Sequence, residues 1–279
     1  MRTWSFVKGH GTRNDFVVLK DRSAMMRLTQ ADVRFLCDRR GGIGGDGVLR
    51  AVKAEHVPEW TGDPDLWFMD YRNADGSIAE MCGNGLRVFV RALLDCDLVP
   101  VGPVPIATRA GVRIATPLND GRIMITMGPV TGFPEPVPVR VAGRDLTGTQ
   151  VAVGNPHCVV VLSPAEVDAI DLSHQPEVPA DRYPAGANVE FAARVGDGHY
   201  RMRVHERGVG ETESCGTGAV AVAYALSEGR VAQSRVDVPG GSLEVLLDDD
   251  GTVERIVDYQ DLDGDGKAER QVLYGVHGG

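Results

Sequence analysis

The chain has 279 residues, 43% hydrophobic and 24% charged, which is enough apolar material for one large or two medium globular domains and excludes a disordered chain. Its formal charge of -10, without any lysine or arginine run, excludes a general phosphate binder, so nucleic acid is not an expected partner. The N-terminus has no signal-type apolar core and no run reaches the ~18 apolar residues of a membrane span, so the expectation is a cytoplasmic protein that does not bind membranes.

In chain order, β-branched runs at "FVVL" (16), "WFMDY" (67), "RIMITM" (122), "VAVGNPHCVVVL" (151), "YRMRVHE" (200) and "SLEVLLDDDG" (242) predict strands. Four helices are predicted among them: "TQADVRFLCDRR" from Thr29, "GLRVFVRALLDC" after Asn84, "SPAEVDAI" from Ser163 and "GAVAVAYALSEGR" after Thr217. Each follows a capping residue or a Gly-rich turn. The pattern Glu-x-Cys-Gly-x-Gly occurs twice, at Cys82 and Cys215, each time between a strand and an apolar helix. At the same distance upstream of each cysteine stands a polar residue, Asn73 or Glu206, and further upstream an asparagine, Asn14 or Asn155, leads into a strand. Four ordered features in both halves indicate a duplication of one α+β unit. The halves are expected to meet near Gly128 to Val139, where "GPVTGFPEPVPV" has four prolines and no helical period.

A cysteine at a helix start faces backbone N–H groups without intrahelical acceptors and the positive end of the macrodipole. Both effects favour thiolate over a thiol that ordinarily titrates near ~8.5. The glycines beside Asn84 and Thr217 let a ligand carboxylate approach the same N–H groups. Two such turns sharing one ligand would place a sulfur on either face of an α-carbon. A thiolate and a thiol so arranged invert a stereocentre by proton transfer, the chemistry of a racemase or epimerase.

Seven segments, "KGHGTRNDFVVL" (8–19), "GGIGGDGVL" (41–49), "YRNADGSIAEMCGNGLR" (71–87), "VGNPHCVV" (153–160), "GANVEF" (186–191), "HERGVGETESCGTGA" (205–219) and "VDVPGGSLEV" (236–245), occur in the order of one family. In them the sequence resembles the cofactor-independent diaminopimelate epimerases. The resemblance implies an α/β (α+β) fold of two pseudo-symmetric halves, each a mostly antiparallel sheet around a central helix, with the active site in the cleft between them. The halves would span 1–127 and 128–267, with 268–279 adding a strand to the first. It implies Cys82 and Cys215 as the catalytic pair. Substrate contacts would come from Asn14, Asn73, Asn155, Asn188, Glu206 and Arg207, and from the backbone of Gly83, Asn84, Gly216 and Thr217. His157 would help set the cysteines' protonation state. The implied reaction takes LL-2,6-diaminopimelate to the meso isomer, in lysine and peptidoglycan precursor synthesis. The implied partners are a small amino acid substrate and a second copy of the chain in a homodimer.

Neither cofactor nor metal is expected. The chain has only four lysines, and two-base proton transfer needs no pyridoxal phosphate. Close-spaced cysteine or histidine ligand pairs are missing. "DLDGDGKAE" from Asp261 starts like a calcium loop, but Val272 stands where the bidentate glutamate belongs, so a hairpin turn is expected there. Cys37, Cys96 and Cys158 read as packed thiols. The alternatives are a racemase of another amino acid with the same fold and mechanism, and a non-catalytic amino acid or metal-binding relative. Arg207 and the asparagines argue for a substrate with a second polar head group.

Overall fold

The computed structural model describes residues 4–228, 232–247, 252–259 and 274–275. The chain divides into two compact units, Met1–Ile125 with Ala268–Gly279 and Thr126–Lys267. The first unit contains β1 (Phe6–Gly11), β2 (Asn14–Lys20), α1 (Gln30–Cys37), β3 (Gly47–Lys53), β4 (Trp67–Asn73), α2 (Gly83–Asp95), β5 (Val104–Thr108), β6 (Gly111–Pro117) and β7 (Ile123–Ile125). The second contains β8 (Gly128–Pro129), β9 (Thr131–Val141), β10 (Arg144–Ala152), β11 (Pro156–Val161), α3 (Pro164–Ala169), β12 (Asn188–Gly196), β13 (His199–Glu206), β14 (Gly210–Thr212), α4 (Gly216–Ser227), β15 (Ala232–Val238), β16 (Gly241–Leu247) and β17 (Thr252–Tyr259). A final strand, β18 (Tyr274–Gly275), returns to the first unit and pairs antiparallel with β1.

The two units repeat one topology. In the first, β1 and β2 form an antiparallel hairpin, β2 runs parallel to β3, β3 antiparallel to β4, β4 parallel to β5, and β5 antiparallel to β6. In the second, the same sequence of pairings runs through β10, β11, β12, β13, β15 and β16. α1 and α3 occupy the first parallel crossover of each unit, α2 and α4 the second. Each sheet packs around its second helix, α2 or α4, both of which are buried along nearly their whole length. That accounts for their composition, since a helix enclosed by a sheet must be apolar on most of its circumference.

Local chemistry places the helix starts. Thr29 and Asp32 form a capping box before α1, and Ser163 and Glu166 form another before α3, with Pro164 in its first turn. α2 and α4 begin earlier than the sequence suggests, at Gly83 and Gly216, so that Cys82 and Cys215 are themselves the N-caps. The run "VAVGNPHCVVVL" is interrupted: Gly154 takes a φ of 75°, and the chain reverses from β10 into β11.

The proline-rich stretch from Gly128 to Val139 forms β8 and most of β9. Arg140 turns its backbone N–H to the Glu177 carbonyl, away from β10. Pro136 and Pro138 share its parity, so their missing N–H groups cost no bond to β10. The segment from Asp261 to Asp265 and residues Gln271 to Leu273 lie outside the described residues.

Candidate active site

Cys82 and Cys215 take the same backbone conformation, with φ, ψ of -141°, 123° and -128°, 114°. Each sulfur accepts the N–H three residues on, from Gly85 at 3.4 Å and from Gly218 at 3.4 Å. The cysteines thus occupy the position usually held by a serine or aspartate cap. Gly83, Asn84, Gly216 and Thr217 supply the first-turn N–H groups, which a helix cannot satisfy internally.

In the first unit the β1–β2 hairpin brings Asn14 to Cys82. Its turn uses Thr12 and Arg13 at φ of 46° and 62°, a left-handed conformation usually given to Asn-Gly. Thr12 is fully buried, and its hydroxyl donates to Asn84 Oδ1 at 3.4 Å, which ties this strained turn to the first turn of α2. Asn84 Oδ1 also accepts from the buried Arg87 at 2.7 Å. Asn14 Oδ1 accepts from Asn84 Nδ2 at 3.4 Å and from the Cys82 thiol at 3.5 Å. Asn73 lies at the end of β4, where its Nδ2 donates to Ser77 at 3.0 Å.

In the second unit Asn155 enters β11 and donates through Nδ2 to Thr217 Oγ1 at 3.3 Å; that oxygen lies 3.4 Å from Cys215 Sγ. His157, also at 0% exposure, stands between Asn155 Oδ1 at 2.9 Å and Glu190 Oε1 at 2.7 Å. Asn188 is buried, and its Oδ1 accepts the backbone N–H of Arg207 at 2.9 Å. Arg207 is exposed, and its guanidinium makes no ion pair among the described residues. Glu206 accepts the Thr212 hydroxyl at 2.5 Å.

The helix-end argument for a thiolate does not hold for Cys215 as it stands. Burial pushes its pKa well above the ordinary value, and the negative charges of Glu206 and Glu190 push the same way. Hydrogen bonds from Thr217 and Gly218 oppose this without overcoming it. Desolvation of a fully enclosed anion exceeds what one helix terminus returns. Burial also raises the Glu206 carboxyl, assisted by the charge of Glu190. Cys158 is pushed up to about 12 and Cys37 to about 11 by burial, as packed thiols should be. Cys96 is half-buried, with Lys20 Nζ 3.4 Å from its sulfur.

Two neighbours of the site were not singled out in the sequence. Asp46, within "GGIGGDGVL", accepts from Asn14 Nδ2 at 2.7 Å. Glu190, within "GANVEF", pairs with His157 at 0% side-chain exposure. The available signal for Glu190 was a lone carboxylate inside an apolar strand, since charged residues are almost never fully buried unless paired. Among the described residues no group of three His, Cys, Asp or Glu side chains gathers to hold a metal ion, and no helix is long and apolar enough to cross a membrane.

The family described as Diaminopimelate epimerase matches residues 6–132 and 149–260. A diaminopimelate epimerase of Thermobifida fusca (strain YX) is 48% identical over 252 residues, covering 87% of this chain and 90% of the relative. One from Streptomyces coelicolor is 46% identical over 263 residues, covering 90% of each chain. Among solved structures, a probable proline racemase from Agrobacterium radiobacter K84 superposes with a TM-score of 0.64 at 17% identity, over 99% of this chain and 93% of the other. A hydroxyproline epimerase from Agrobacterium vitis gives 0.65 at 17%, over 98% and 91%. The solved structures show the shared α+β fold of two similar halves. The family match and the sequence relatives, taken over most of the chain, establish that the protein belongs to the diaminopimelate epimerase family of isomerases.

Proposed function

We propose that this isomerase converts LL-2,6-diaminopimelate to the meso isomer with Cys82 and Cys215 as alternate base and acid at one α-carbon. The observation that carries the reading is that each of the two units, which repeat one order of strand pairings, carries in its second crossover a cysteine whose sulfur caps a buried helix. A 1,1-proton transfer that inverts configuration needs one proton carrier on each face of the carbon. The mechanism therefore requires both thiols at the same substrate atom. Cys215, held as a thiol by burial, is suited to give its proton to the carbanion, and the reverse reaction exchanges the roles.

The N–H groups of Gly83, Asn84, Gly216 and Thr217 are assigned to the carboxylate at the reacting centre, where they also lower the barrier to removing the α-proton. Asn14, Asn73, Asn155 and Asn188, with Glu206 and Arg207, are assigned to the distal amino acid group. Arg207 supplies the cation for its carboxylate, and the amide oxygens with Glu206 supply acceptors for its ammonium. His157 supports the second cysteine through Asn155 and Thr217. The reaction needs no cofactor, because neither oxidation state nor connectivity changes. The setting is the cytoplasm, with the chain acting as a homodimer.

Turnover in heavy water tests the reading. Deuterium should enter the α-position of diaminopimelate during epimerisation, and Cys82→Ala and Cys215→Ala should each abolish interconversion. Full epimerisation by either variant would exclude the two-thiol scheme. A substrate panel in which proline or another mono-amino acid outpaced diaminopimelate would assign a different racemase.

A further inference from the structure

The duplication supplies an internal control for the pair beneath α4. In the first unit Phe16 stands opposite Gly47 in the parallel β2–β3 ladder, and in the second His157 stands opposite Asn188 in the parallel β11–β12 ladder. Two residues beyond, Leu49 on β3 therefore corresponds to Glu190 on β12. The positions beneath the first helical turn confirm the match. A Cβ on Gly85 would meet Leu49 Cδ2 at 3.3 Å and Phe16 Cζ at 3.4 Å, whereas a Cβ on Gly218 would meet Glu190 Oε1 at 2.7 Å. One fold thus carries an apolar pair under α2 and a fully buried ionisable pair under α4. The fold does not demand the charge, and an unneeded buried carboxylate is costly.

Resting on the two-thiol reading, we infer that Glu190 is a positioning residue that sets the direction of every hydrogen bond from His157 to the Cys215 sulfur. The argument follows the protons. Asn155 presents Oδ1 to His157 and Nδ2 to Thr217. An amide oxygen only accepts, so His157 Nε2 must carry a hydrogen. Glu190 Oε1, 2.7 Å from Nδ1, accepts the other ring N–H, so both nitrogens donate and the Glu190 carboxylate is the counter-charge of a doubly protonated ring that always presents Nε2–H to Asn155. Thr217 Oγ1 accepts from Asn155, which leaves its own hydrogen to turn to Cys215 Sγ. Were Asn155 reversed, its oxygen would claim that hydrogen and the sulfur would lose a donor. Glu190 is the end of this chain: among the described residues its buried Oε2 has no hydrogen-bond partner, so its orientation is held by His157 and the first turn of α4. The charged groups bearing on Cys215 are Glu206 on β13 and Glu190 on β12, while His157 on β11 bears on Glu206.

The test separates positioning from charge. Glu190→Gln removes the charge but supplies an amide N–H that can donate to His157 Nδ1 and so leave the hydrogen on Nε2; Glu190→Leu removes the charge and offers Nδ1 no partner; His157→Phe with Glu190→Leu installs the first unit's own pair, which this topology already tolerates. Iodoacetamide labelling of Cys215, followed by mass spectrometry across pH, reads the thiol midpoint, and ¹⁵N NMR of histidine-labelled protein reads the His157 ring. The expected result is a protonated Nε2 in the wild type and in Glu190→Gln. The labelling midpoint in Glu190→Leu and in the double variant should lie about half a pH unit or more above that of Glu190→Gln. In a Thr217→Val background that difference should vanish. For diaminopimelate turnover, Glu190→Leu should lower kcat about tenfold with KM changed less than about twofold. Equal midpoints in Glu190→Gln and Glu190→Leu, or a bare Nε2 in the wild type, would overturn the inference. If Glu190→Leu does not fold, the wild-type ring spectrum and the double variant decide. Labelling and NMR need no turnover, so failure of the two-thiol mechanism would show in solvent exchange and leave these readouts intact.

Discussion

Asp46 Oδ2 accepts from Asn14 Nδ2 at 2.7 Å, and this bond determines that Asn14 turns its oxygen, not its nitrogen, toward the Cys82 thiol. Asp46 is anchored in turn by Arg39 at 2.8 Å. Its removal frees the Asn14 amide to rotate and offer Cys82 a donor instead. Asp46→Ala is expected to lower kcat/KM for diaminopimelate about tenfold. Stability should change by less than about 1 kcal/mol, because the Asp46–Arg39 pair is exposed. Steady-state kinetics with thermal melting checks this, and an unchanged kcat/KM would contradict it.

The same change at the two equivalent helix glycines should have different consequences. In Gly85→Ala the new methyl meets the ends of the Leu49 and Phe16 side chains, which can yield by a few tenths of an ångström. In Gly218→Ala it meets the Glu190 carboxylate, which His157 holds in place. Gly218→Ala should cost about 1–3 kcal/mol by urea denaturation, while Gly85→Ala stays within about 1 kcal/mol of wild type. Equal losses would show that Glu190 is free to move aside.

Cys215 should alkylate appreciably only above the pH at which an ordinary thiol reacts. Burial is the largest cause, and the Glu206 charge is the next. A nearby anion disfavours the thiolate, so neutralising it in Glu206→Gln should move the labelling midpoint of Cys215 downward. A midpoint that stays or rises would assign the whole effect to burial.

Asp15 contributes a defined part of the acid response. Burial alone would raise its carboxyl, but the hydrogen bonds and charges of Arg39 and Lys8 outweigh it and hold the pKa below the usual carboxylate range. A depressed folded-state pKa means stability that is complete above the unfolded value of about 3.9 and is lost as pH falls toward the folded value. The stability difference between wild type and Asp15→Asn should be constant above about pH 5 and shrink as pH drops below about 4. Denaturant titrations across pH measure it; a difference that grew on acidification would reverse the assignment.

The features legible in the sequence were those written in short stretches of chain. Thr29 and Ser163 announced α1 and α3 because a capping box closes within four residues. Cys82 and Cys215 announced paired helix starts because capping, too, is local, although the helices begin at the glycine directly behind each sulfur. The duplication was visible because Asn14 and Asn155, and Asn73 and Glu206, recur at fixed places before those caps. That the proline-rich stretch forms β9 was not legible, because whether a proline costs a ladder bond depends on which side its nitrogen faces, and only the pairing with β10 and Glu177 decides that.

What the sequence by itself determined is the family, the duplicated topology and the two cysteine caps, all carried by local motifs and apolar periodicity. Tertiary structure alone decided how the two caps differ. Parallel pairing of distant strands sets Phe16 and Leu49 under α2 but His157 and Glu190 under α4, and burial then holds Cys215 as a thiol against its own helix end. The physical reason is that desolvation and register depend on groups far apart in the chain, whereas a helix cap depends only on its neighbours.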